Sequence, residues 1–171
     1  MKVVVDLQLI SEVANTPSLE QCEQALQQVL AVVDIDETKE CTLRIVDDRE
    51  SAELNEQYRG KSGSTNILSF PFESPPTCDL SQLENGLVES ELLEIGLLGD
   101  LIICAPLVVK EAREQNKTEL QHWMHLIIHG GLHLLGYDHE NEDEANIMES
   151  LECRAMDNLG YPNPYLPIET S

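Results

Sequence analysis

His129 to His139 reads HGGLHLLGYDH, three histidines in the pattern H-x3-H-x5-H. On an α-helix residues four apart lie about 40° apart around the axis, so His129 and His133 aim their imidazoles at one point. Gly136 is the natural stop for that helix, since glycine takes the left-handed conformation without strain. Beyond it, Tyr137-Asp138-His139 turns back and brings a third imidazole to the first two. Three neutral nitrogen donors with an open fourth position are what a catalytic zinc needs. The expected metal ligands are therefore His129, His133 and His139, with one Zn2+ per chain.

The residues between the ligands narrow the chemistry. Zinc peptidases read H-E-x-x-H, the glutamate acting as general base. Here that position is Gly130, which disfavours peptide hydrolysis. A base deaminase needs H-x-E with P-C-x-x-C, and the chain has no C-x-x-C. All five histidines fall between 122 and 139. Leu120, Trp123, Met124, Ile127, Leu134 and Leu135 fall on one side of the predicted helix, and His122, His125, His129 and His133 on the other. His125 is also four residues from His129 and is a rival ligand. His139 is better placed, so His122 and His125 are expected to line the approach or lie at the surface.

Working outward, Thr118 starts the metal helix, with Gln121 as capping partner, and Pro106 fits the first turn of the helix before it. Glu142 to Leu159 predicts a last helix with Met148, Leu151, Ala155 and Leu159 inward, stopped by Gly160. Upstream, Lys2 to Ile10 and Cys41 to Val46 read as strands. A helix follows Asn15-Thr16-Pro17-Ser18, capped by Thr16 or Ser18. Asp47 with Glu50 resembles a capping box for a helix through Tyr58. Ile67 to Phe70 is a short strand closed by Pro71, hence a sheet edge. Phe72 to Leu93 reads as a long acidic loop, and Leu101 to Cys104 as a strand buried on both faces. This order predicts an α+β fold: one domain over residues 1–171, with a small mixed sheet of about four strands packed with helices.

Composition bounds the rest. The 171 residues carry 32 acids against 10 Lys and Arg, a net charge of −22, which argues against broad affinity for nucleic acid. The longest apolar run, Leu101 to Val109, is too short to span a membrane. MKVVVDLQLI lacks the features of a signal peptide. The five cysteines are scattered and odd in number, as in reduced cytoplasmic proteins. The bases are grouped: Arg44, Arg49, Arg59 and Lys61 fall close together, and Lys110, Arg113 and Lys117 share one helix face. They are the candidate phosphate contacts, and on the resemblance given below the candidate RNA contacts, of an acidic body with a basic groove. Asp138 could orient a ligand histidine or act as a base, and the first is preferred because it adjoins a ligand.

HGGLHLLGYDH closely resembles the H-G-x-L-H-L-x-G-Y-D-H signature of the YbeY family of bacterial endoribonucleases. YRGKSGSTNILSFPF (Tyr58 to Phe72) and LLGDLIIC (Leu97 to Cys104) resemble two further segments of it. The likeness covers most of the chain from about residue 40. It implies a four-stranded sheet with a zincin-like active-site helix. It also implies a zinc-dependent single-strand endoribonuclease in ribosomal RNA processing, namely 16S rRNA 3′ end maturation and ribosome quality control. Arg59, His129 and Asp138 are then the expected catalytic residues. Expected partners are ribosomal RNA and the small ribosomal subunit with its proteins, with no DNA or membrane, in the cytoplasm. The alternatives are a nonenzymatic ribosome-assembly factor with a structural metal, and, less favoured, a metalloprotease.

Overall fold

Short segments with alternating burial build the sheet. The computed structural model describes residues 3–71 and 96–165; the acidic stretch read as a loop, and Cys78, lie outside them. Strands β1 (Val3–Leu9), β2 (Lys39–Val46), β3 (Ile67–Pro71) and β4 (Leu97–Cys104) form one mixed sheet in the order β1-β2-β4-β3. β2 runs parallel to both β1 and β4, and β3 is antiparallel to β4. Pro71 thus lies on an edge strand, where its missing N–H breaks no central ladder. Cys41, Leu43 and Ile45 of β2 and Leu101 and Ile103 of β4 are buried on the face that meets the helices.

Of the stretch expected to be buried on both faces, Leu101, Ile103 and Cys104 are buried and Ile102 is half-buried. The second face is therefore covered at Cys104, where Asp48 meets it, and only partly at Ile102.

The described residues form five helices: α1 (Leu19–Val32), α2 (Asp48–Arg59), α3 (Ala105–Glu114), α4 (Glu119–Leu134) and α5 (Glu142–Asn158). Ser18 caps α1, accepting from the Gln21 amide while Gln21 accepts from the Ser18 amide, which decides between the two expected caps. Thr118 accepts from the Gln21-like position of its own helix, Gln121, at 3.1 Å. The capping box expected at Asp47 does not form. Asp47 accepts from the Ser11 hydroxyl, and Glu50 is held by Arg44.

Gly130 and Gly131 seat α4 in the core. A Cβ at Gly130 would lie 2.6 Å from Ile67 Cδ1 and 2.7 Å from Leu101 Cδ2, on the sheet. A Cβ at Gly131 would lie 2.9 Å from Leu26 Cδ2, on α1. The paired glycines therefore let sheet and helix close on α4 from different sides. Trp123, Ile127, Ile128 and Leu132 fill the core around it.

Candidate metal centre

α4 ends where the sequence placed its stop. Gly136 has φ +96°, a conformation that disfavours side chains, and the chain reverses there to carry His139 back. His129, His133 and His139 each offer a ring nitrogen, all within 4.8 Å of one another. The Nε2 atoms of His129 and His133 are 3.1 Å apart. Two nitrogens bound to one tetrahedral zinc at roughly 2.0–2.1 Å lie about 3.3 Å apart, so the observed spacing fits a shared ion. Burial, then the neighbouring His129 and His139, push the His133 pKa down, favouring the neutral ring that can bind a metal. No fourth His, Cys, Asp or Glu joins the group among the described residues, as a site with an open position requires.

Of the two places expected for His122 and His125, the surface is not where they lie; both line a pocket that His129 also lines. His122 is 4% exposed and its Nε2 meets Glu111 Oε1 at 3.0 Å. His125 Nε2 meets Glu152 Oε2 at 2.6 Å. The other oxygen of Glu152 lies 2.6 Å from His129 Nδ1, so His129 has the carboxylate partner typical of a metal-bound imidazole. Sequence reasoning missed Glu152. Burial raises its pKa, but the bonds from His125 and His129 together outweigh that and hold it at about 2. Asp138, expected to orient a ligand ring, accepts instead from the His139 backbone N–H at 2.8 Å. It is 3.8 Å from His139 Nδ1, too far for a hydrogen bond.

The trio opens on a cleft of about 760 Å³ whose other wall is the end of α2 and the edge strand β3. Buried Ser51 and Asn55 shape that wall. Ser51 Oγ donates to Thr65 O (2.8 Å) and Asn55 Nδ2 to Gly63 O (2.8 Å), tying the loop after α2 back onto the helix. Arg59, exposed at the end of α2, lines the cleft beside Tyr58, whose ring meets Phe70 edge-on at 5.1 Å. Among the described residues lining the cleft, Arg59 is the one guanidinium and Asp138 the one acid.

A family model described as endoribonuclease YbeY matches residues 8–160. The chain belongs to the YbeY family. Its fold is also similar to a solved solution structure, TM1509 from Thermotoga maritima, with a TM-score of 0.53 and 21% identity over 91% of each chain.

Within this YbeY-family fold the other expected RNA contacts scatter. Arg44 is paired with Glu50 and Gln8, Arg49 with Glu53 and Lys110 with Glu114. Arg44, Arg49, Lys61, Lys110, Arg113 and Lys117 all lie off the cleft lining. Lys117 lines a second pocket behind His129 and donates to Pro164 O at 2.6 Å. Arg44 stands on strand β2 and Arg59 at the end of helix α2, so nearness in sequence does not bring both to the cleft.

Proposed function

We propose that this chain is a zinc-dependent endoribonuclease of single-stranded ribosomal RNA, acting in 16S rRNA 3′ end maturation and ribosome quality control. The observation that carries the reading is one cleft joining three convergent histidines to Arg59; the family supplies the substrate class. When bound, zinc supplies Lewis acidity and a hydroxide nucleophile near neutral pH. Arg59 presents a planar fork that binds phosphate bidentately and offsets the charge that builds on the phosphorane. The Tyr58–Phe70 pair gives unpaired bases an aromatic surface to stack on, which suits a single strand. Asp138 stands at the cleft as its proton acceptor, and Glu152 keeps the His129 proton on Nδ1.

The charge of −22 is compatible with this role because the cleft lining, among the described residues, holds a single acid. RNA then meets a locally favourable surface on an otherwise repelling body. The chain would work in the cytoplasm on the small ribosomal subunit; no helix among the described residues is long and apolar enough to cross a membrane. Peptide hydrolysis is disfavoured further by the crowding at Gly130, which leaves no room for the peptidase glutamate.

The experiment compares metal-replete and chelated protein on structured ribosomal RNA, alongside metal analysis of His129→Ala, His133→Ala and His139→Ala. Cleavage should need the metal, at about one zinc per chain, and each variant should release it. Equal cleavage with and without metal would sink the nuclease mechanism. Retained metal with no cleavage at all would favour an assembly factor with a structural ion.

A further inference from the structure

We propose that Glu152 is the positioning residue of the metal centre, presenting His129 as a ligand while withholding His125, and that Tyr165 completes it by holding the second oxygen of Glu152. The proposal rests on the reading of His129, His133 and His139 as metal ligands.

The Glu152 side chain is fully buried between α4 and α5. Its Oε1 takes the His129 Nδ1 proton; its Oε2 takes protons from His125 Nε2 and from the Tyr165 hydroxyl. An ionised carboxylate only accepts, so these contacts fix both tautomers. His129 is left with a lone pair on Nε2, the atom 3.1 Å from His133 Nε2. His125 is left with its Nε2 engaged and its Nδ1 buried without a partner. The helical spacing of His125 and His129 would suit a ligand pair, and Glu152 removes His125 from that competition.

Tyr165 acts through the same carboxylate. Its ring meets His125 edge-on at 5.3 Å and 85°. The segment carrying it is pinned by Lys117 Nζ to Pro164 O at 2.6 Å. Because Oε1 and Oε2 belong to one rigid plane, holding Oε2 sets where Oε1 meets His129. A tail residue thus reaches the ligand ring through a single carboxylate.

A simpler role, a tie between two helices, would give the same contacts, so the test reads the metal. Full-length wild type, Glu152→Gln and Tyr165→Phe are titrated with cobalt, following visible absorption, and their zinc affinity is measured by chelator competition. An amide cannot accept from both rings at once. Glu152→Gln should lose about 10- to 100-fold in zinc affinity, the usual cost of removing a ligand's hydrogen-bond partner, with an altered cobalt spectrum. Tyr165→Phe keeps the ring and lies on a residue 44% exposed, so it should fold normally and lose affinity several-fold. If Glu152→Gln fails to fold, Tyr165→Phe decides alone. Wild-type affinity and spectrum in Tyr165→Phe would overturn the tail's part, and in both variants the whole proposal. A wild type that binds cobalt yet leaves ribosomal RNA intact would count against the nuclease and leave this assignment standing.

Discussion

Replacing Gly130 by alanine tests the packing that holds the metal helix. Alanine improves the intrinsic helix tendency by about 1 kcal/mol. Against that, the added Cβ would stand 2.6 Å from Ile67 Cδ1 and 2.7 Å from Leu101 Cδ2, where carbon atoms prefer roughly 3.5–4.0 Å. Leu101 is fully buried, so it cannot swing aside into solvent. Overpacking usually costs about 1–3 kcal/mol; with both contacts below 3 Å we place it at about 2–3 kcal/mol, which leaves a net loss of about 1–2 kcal/mol once the helix gain is subtracted. For a domain of this size that is a fall in Tm of about 2–8 °C. Gly131→Ala, with its nearest contact at 2.9 Å, should lose less. Gly130→Glu, which recreates the peptidase spacing, adds a carboxylate to the same dry interface and should leave no folded enzyme. The assay is thermal unfolding of the metal-free variants by circular dichroism. A Gly130→Ala protein as stable as wild type, or a larger loss at Gly131, would refute the wedge as described.

Arg59→Ala should keep its zinc and its Tm yet lose most RNA cleavage, and Arg59→Lys should lose part of it because the fork is gone; full activity in the alanine variant would remove Arg59 from the site. Lys110→Gln with Arg113→Gln should leave the salt slope of RNA affinity unchanged, since neither base lines the cleft. A slope flatter by roughly 0.7–1.4 would mean one or two phosphate contacts on α3. Acid should destabilise the metal-free chain in two stages, followed by Tm against pH. Burial above all pushes His125 and His133 below their ordinary 6.5, so the unfolded chain binds more protons there and stability falls as pH drops below about 6.5. Glu152, held at about 2 against an ordinary 4.5, adds a further loss as pH falls from 4.5 towards 2. A Tm that rises between pH 7 and 5.5 would contradict the first stage.

The backbone plan was readable because local signals agreed with one another. A valine-rich run marked β1, the alternation of Cys41, Leu43 and Ile45 marked β2, Pro71 marked the edge, and Gly136 marked the turn that returns His139. The cap at Asp47 misled, because two stronger partners, Ser11 and Arg44, draw its carboxylate and that of Glu50 away. Glu152 was missed for a related reason. Its helix is rich in acids, and most of them face water. The usable signal was its position, four residues after Met148 and four before Met156, both buried; a carboxylate on the inward stripe needs a partner. Of the basic groups Arg59 alone lines the cleft, because nearness in sequence says nothing about direction when one base sits on a strand and the next on a helix.

The glycine-stopped turn and the Glu152 bridge also order events in time. The three metal-facing rings, the carboxylate behind them and the tyrosine that holds it all lie between His129 and Tyr165, whereas Arg59 and the sheet it stands beside are made earlier. During synthesis the chain emerges from its N-terminus, so the wall that carries Arg59 is made before the one that carries the histidines. On the proposed reading, a partly made chain on a ribosome would lack the residues that hold its metal. It would cleave RNA only once its last described helix and Tyr165 have left the machine that RNA builds.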